Sequence, residues 1–301
     1  MKLATDTLGK RIQIDVFFDK PTSTFTYLLA DVDSRQAVVI DSVMEYDPKS
    51  GRTHLDSAQA LLAEVQQRQL TVKWLLETHV HADHLSAAHW LKAQTGAGIG
   101  IGEHITTVQS VFAQLFNVQD SVKADGSPFD HLFKDGEAFS VGAMRFEVLY
   151  TPGHTPACMT YVLKDEDSGE MAAFVGDTIF MPDYGTARCD FPGGDARVLY
   201  RSINRLLSLS PDTRLYMCHD YQPGGRDAEY VTTVQAQRDH NVHVKNGITE
   251  ESFVSMRTAR DKTLDMPVLI LPSVQVNMRA GELPPPEDNG VRYIKIPLNA
   301  I

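Results

Sequence analysis

The densest group of reactive side chains is Thr78-His79-Val80-His81-Ala82-Asp83-His84, with three histidines and one aspartate inside positions 79–84. It directly follows an apolar run, Val72–Glu77 (VKWLLE). Where a strand ends, a turn can swing alternate side chains toward one point. Imidazole nitrogens and a carboxylate converging there suit zinc or iron rather than calcium or magnesium. The competing reading is a solvated polar loop that binds nothing.

Three later segments repeat the arrangement, each a strand-like run followed by a residue of ligand type. Thr151-Pro152-Gly153-His154-Thr155 follows a run ending at Tyr150, and Phe174-Val175-Gly176-Asp177-Thr178 sets Asp177 just past another. Leu215-Tyr216-Met217-Cys218-His219-Asp220 does the same for His219. Each is weak alone, since a single T-P-G-H-T also suits a turn with a structural histidine. Four strand-end donors in order argue for one shared centre.

The elements needed to position them are readable as alternating strands and helices. Strands are expected at Ile12–Phe18, Thr24–Ala30, Ala37–Asp41, Val72–Glu77, Arg145–Tyr150, Met159–Leu163, Met171–Val175 and Arg214–Met217, with Asp31–Gln36 a hairpin connection. Helices are expected from a cap at Asp56 or Ser57 to about Gln69, then at Leu85–Gln94 with Gly96 as its stop. Further helices are read at Thr106–Phe116, Ala196–Ser208, Ala228–Asp239 and Glu250–Arg260, and a loop at Ala124–His131. Strands outnumber those of a pure βαβ repeat, which predicts two packed mixed sheets with helices on the outer faces. No internal repeat or linker divides the chain. A single domain over residues 1–301 is expected, its core about 12–240 and a C-terminal extension about 241–301. Pro284, Pro285 and Pro286 mark part of that extension as an extended surface segment.

Composition narrows the function. The 301 residues are 43 % hydrophobic and 22 % charged, as in ordinary globular proteins. A formal net charge of −11 would repel a phosphate backbone, so nucleic acid is not an expected partner. No apolar stretch approaches the roughly 18 residues of a membrane span, and Met1–Val16 does not read as a signal peptide. Three cysteines, Cys158, Cys189 and Cys218, do not suggest a disulfide framework, and a reducing cytoplasm is expected.

The order H-x-H-x-D-H, His154, Asp177, His219 resembles the metallo-β-lactamase superfamily over residues from about 12 to 240. The resemblance implies an α/β fold, an αβ/βα sandwich with metal at the edge of its two sheets. It also implies a first site of His79, His81 and His154, a second of Asp83, His84 and His219, and Asp177 between them. Within the superfamily, THVHADH, TPGHTPAC, FVGDTIF, ARCDF and CHDY resemble the persulfide dioxygenases. That likeness implies one Fe(II) per chain on His79, His154 and Asp177, with His81, Asp83, His84 and His219 around it or forming a second metal site. The implied reaction oxidises glutathione persulfide with O2 to sulfite and glutathione, as in sulfide detoxification.

Two histidines and a carboxylate on one face leave open positions, as in non-heme iron oxygenases. The same residues also suit two Zn(II) ions in a hydrolase of the glyoxalase II kind, whose metal-bound water attacks a glutathione thioester. A third reading, a non-catalytic module, predicts a closed four-ligand site instead. Gly185-Thr186-Ala187-Arg188-Cys189-Asp190-Phe191 departs from the G-R-T-D-F of relatives. There Arg188 suits a substrate carboxylate, or else pairs with Asp190. Tyr221 is a candidate substrate donor or a buried tyrosine. Cys158 and Cys218 read as core residues, Cys189 is the one candidate for an exposed thiol near substrate, and His89 reads as a packing or surface group. A homodimer is left open, and Val276-Asn277-Met278-Arg279-Ala280-Gly281 receives no role.

Overall fold

The computed structural model describes residues 1–300. Two large sheets carry the molecule. In spatial order the first contains Lys2–Leu8, Ile12–Asp19, Thr24–Asp31, Gln36–Ile40, Thr71–Leu76, Gly98–Gly102 and His131–Phe133. The second contains Ala138–Val141, Met144–Tyr150, Met159–Lys164, Met171–Phe174, Arg214–Tyr216 and Val231–Thr233. Both are mixed: the first turns parallel where Gln36–Ile40 meets Thr71–Leu76, the second where Met171–Phe174 meets Arg214–Tyr216. This is the metallo-β-lactamase sandwich expected from the sequence.

Side-chain alternation explains why the inner strands read as unbroken apolar runs. In Thr24–Asp31, Phe25, Tyr27 and Leu29 enter the layer between the sheets, while Leu28 and Ala30 enter a second core. A strand buried on both faces loses its polar alternation. The inner layer joins Ile14, Val38 and Leu76 to Phe146, Tyr161, Phe174 and Tyr216 of the other sheet. The second core sits between the first sheet and its helices, with Leu61, Val65, Leu91, Phe112, Ile270 and Val274.

Several sequence readings are corrected. Leu85–Gln94 is not one helix: Leu85–Ser86 pairs with Val43–Met44, and the helix is Ala88–Thr95, ended by Gly96 at φ +72° as expected. Ala228–Asp239 splits into the strand Val231–Thr233 and the helix Val234–His240, because the β-branched run V-T-T pairs with Arg214–Tyr216. Neither Asp56 nor Ser57 caps the helix Asp56–Gln67. Instead Glu45, on Val43–Asp47, accepts the Ser57 amide at 2.7 Å. The extension also holds an unforeseen helix, Ile270–Asn277, whose Ile270, Val274 and Val276 are buried against the second core. Among the described residues, no helix is long and apolar enough to cross a membrane.

The sheets are joined at one edge by main-chain hydrogen bonds. Met159 N donates to Thr78 O at 2.9 Å, and Phe25 N to Cys218 O at 2.8 Å. Thr78 and Cys218 each directly precede a histidine of the motifs, so this seam places the donor segments of both sheets side by side.

Candidate metal centre

All seven motif residues meet at that seam. Donor atoms of His79, His154 and Asp177 lie within 4.8 Å of one another, and so do those of His81, Asp83, His84 and His219. Asp177 Oδ2 is 3.6 Å from His154 Nε2 and 3.9 Å from His79 Nε2, while its Oδ1 is 3.3 Å from His219 Nε2. Donors about 2.1 Å from a shared ion stand roughly 3–4 Å apart. The carboxylate of Asp177 therefore spans the two groups.

Hydrogen-bond partners on the outer side fix which ring nitrogen of His154, His79 and His81 faces inward. His154 Nδ1 donates to the Arg188 carbonyl at 2.8 Å, which leaves Nε2 as a lone pair toward Asp177. Thr78 Oγ1 donates to Asp41 Oδ2 at 2.9 Å and so accepts from His79 Nδ1 at 3.0 Å, turning His79 Nε2 inward. His81 Nε2 donates to Asp41 Oδ1 at 3.0 Å and is 3.4 Å from Glu77, leaving Nδ1 on the inner side. Thr24 Oγ1 stands 3.3 Å from His219 Nδ1 and 3.4 Å from His84 Nδ1.

What remains is a set of buried polar atoms without hydrogen-bond partners: His79 Nε2, His81 Nδ1, His84 Nε2, His219 Nε2 and Asp177 Oδ1. A buried donor or acceptor left unmade costs about 1–3 kcal/mol. Five such atoms aimed at one place are what a cation would satisfy, and the residues fit a metal ion. Burial, reinforced by the neighbouring imidazoles, pushes His79 well below the usual histidine range and keeps it neutral, as a ligand must be. Burial would lower His81 as well, but the charges of Asp41 and Glu77 outweigh it and raise His81 well above that range. A metal at His81 Nδ1 would then have to displace a proton.

Asp41 is the residue of this network that the sequence reading passed over. It ends the strand Gln36–Ile40 in the left-handed region at φ +53° and accepts from Thr78 N, Thr78 Oγ1, His81 Nε2 and the Cys218 thiol. Its signal was available, since V-V-I-D is a strand followed by a ligand-type residue like the other four. Asp41→Asn would turn an amide NH2 toward His81 or Thr78, each already donating. Metal affinity should fall about tenfold. Chelator competition checks this, and parent-like affinity would reduce Asp41 to a fold element.

A cavity of about 1000 Å³ opens over the centre, with Asp83, His154 and Asp177 on its floor and Phe180, Tyr184, Phe191, Tyr221 and Arg260 among its walls. Tyr221 is partly exposed there, its ring stacked against His219 and packed on Tyr184. Arg188 lines the cavity too, but its guanidinium makes a bidentate pair with Asp190 at 2.6 and 2.8 Å and donates to Asp265 O at 2.7 Å. Of the two roles open to Arg188, pairing with Asp190 is the one found. Arg260 has no ion-pair partner among the described residues, and sequence reasoning missed it because a lone arginine on a helix carries no motif. Cys189, the one candidate for an exposed thiol, is instead buried at 6 % exposure, and burial raises its pKa. Cys158 and Cys218 are buried as read, and His89 is exposed.

Comparison with known proteins finds relatives over most of the chain. The family profile described as the Metallo-beta-lactamase superfamily matches residues 19–219. A Burkholderia pseudomallei (strain 1710b) protein named "Probable metallo-hydrolase" is 61 % identical over 96 % of this chain and 99 % of its own. The human mitochondrial persulfide dioxygenase ETHE1 is 32 % identical over 91 % of this chain and 90 % of its own. The crystal structure of ETHE1 from Myxococcus xanthus superposes with a TM-score of 0.70 at 30 % identity, covering 89 % of this chain and 99 % of that one.

Proposed function

Because the chain belongs to the metallo-β-lactamase superfamily, we propose that it is an enzyme whose metal is one Fe(II), and that it oxidises glutathione persulfide with O2. The observation that carries this reading is the grouping of His79, His154 and Asp177, two of them on the cavity floor, with ring tautomers set by Thr78 and by the Arg188 carbonyl. Two histidines and one carboxylate are the donor set of non-heme iron oxygenases. His81 groups instead with Asp83, His84 and His219, and stays outside that set. Likeness to persulfide dioxygenases over nine-tenths of the chain supports the same reading.

Iron bound there would supply open coordination positions and the electronic route between sulfur and O2. The protein's own part is orientation and exclusion. Phe191 packs edge-on against His154 at 5.3 Å, limiting water beside that ligand. Arg260 is the free cation for a substrate carboxylate, and Tyr184 and Tyr221 line the way in. Each persulfide consumes one O2 and one water: the sulfur–sulfur bond breaks, the outer sulfur gives four electrons to O2 and leaves as sulfurous acid, and glutathione takes back its thiol proton.

One observation favours a second reading. His81, Asp83, His84 and His219 form a complete second donor group, which two Zn(II) ions in a glutathione-thioester hydrolase would use. Protein purified without added metal decides between them. About one iron per chain, with one O2 taken up per glutathione persulfide at an oxygen electrode, is expected. Two zincs, thioester cleavage and no oxygen uptake would overturn the dioxygenase reading.

A further inference from the structure

We infer that Asn277, in the C-terminal extension, is a positioning residue that holds the donor-bearing loop in its metal-ready shape. The inference rests on the metal centre and is independent of the reaction proposed for it. Residues 77–84 have neither helix nor strand to order them, yet they carry four of the seven motif side chains. From one side Asp41 holds Thr78 and His81. From the other, Asn277 Nδ2 donates to His81 O at 2.9 Å and His84 O at 2.7 Å, and its Oδ1 accepts from Ser86 N at 2.7 Å.

That uses both amide hydrogens and the amide oxygen of a side chain that is 4 % exposed. Aspartate in its place would set a carboxylate against two carbonyl oxygens, and leucine would fill the space but leave two carbonyls and one N–H unmade. The extension is itself pinned. Gln109 Nε2 donates to Met278 O at 3.0 Å, and a Cβ on Gly281, at φ +84°, would stand 2.6 Å from Ser86 O. Asn277 also lies outside residues 19–219, the span matched by the family profile.

The test uses the full chain loaded with ferrous iron under anaerobic conditions, with release followed by a chromogenic ferrous chelator. Asn277→Leu should release iron at least about ten times faster than the parent, the usual scale for a residue that orients ligands. Gly281→Ala, which presses on Ser86, the residue whose amide donates to Asn277 just past that loop, should also release iron faster. Gln275→Ala, on the same helix, removes an amide bonded to Leu271 O and to the Lys295 backbone, and should release iron at the parent rate. Iron retention by folded Asn277→Leu overturns the inference, as does release from Gln275→Ala matching that from Asn277→Leu. Should Asn277→Leu not fold, Gly281→Ala decides alone, and parent-rate release from it refutes the inference. A parent chain that takes up no iron sinks the centre itself. Thioester hydrolysis by an iron-retaining parent would end only the dioxygenase reading.

Discussion

Asp177→Ala is expected to strip the centre, leaving less than about a tenth of the parent's iron and lowering turnover on the order of a thousandfold, a loss of about 4 kcal/mol in transition-state terms. The side chain contributes both oxygens to the seam: Oδ2 faces His154 and His79, and Oδ1 faces His219. Its removal leaves His79 and His154 as the whole of the proposed iron set and deletes the only anion in it. His84→Ala is the contrast. His84 belongs to the other donor group, so iron content should stay near that of the parent. Iron analysis of both variants beside an oxygen-uptake assay makes the comparison. Equal iron loss in the two would show that the ligand set has been drawn wrongly, and would favour a two-metal centre.

Gly153→Ala is expected to cost about 3–5 kcal/mol, combining backbone strain with overpacking. Gly153, in the T-P-G-H-T turn, sits at φ +134°, and an added Cβ would lie 2.4 Å from both the Cα and the N of Leu199. Leu199 belongs to the helix Ala196–Leu207, whose backbone cannot yield as a side-chain tip can. The next residue is His154, so whatever relieves the clash also moves a proposed ligand. Thermal unfolding should drop on the order of 10 °C, with iron loss alongside. Gly96→Ala offers a scale: its φ is +72°, but a Cβ there meets nothing within 4 Å, and only the conformational cost of about 1 kcal/mol applies. A Gly153→Ala melting point no lower than that of Gly96→Ala would refute the close-packing argument.

The motifs were legible because each donor segment begins three or four residues past the end of a strand, and the strand ends Leu75–Leu76, Val148–Leu149, Ala172–Phe174 and Leu215–Tyr216 are short buried apolar runs. The sandwich followed from the strand count. What escaped was set by contacts remote in sequence. The V-T-T strand exists because Arg214–Tyr216 offers it an edge. The cap of Asp56–Gln67 is a glutamate on another strand. Asp41 was read as the end of a strand because it lies outside the histidine motifs it serves. Asn277 was passed over because a single amide becomes meaningful only when its three partners, almost two hundred positions away, are seen around it. Arg188 could not be decided from sequence, since pairing two residues along the chain and reaching into a cleft ask the same thing of an arginine.

The three buried sulfhydryls have a consequence for a protein proposed to act on reactive sulfur species. Burial pushes Cys158 up to about 12 and holds Cys189 and Cys218 above the ordinary thiol value as well. At neutral pH little of any of the three is then ionised, and exchange requires the ionised form. These three thiols are thus poor nucleophiles toward polysulfides and alkylating agents. Sulfane sulfur entering the cleft meets no competing nucleophile from these side chains, and the folded chain does not become a sink for the compound it is proposed to consume.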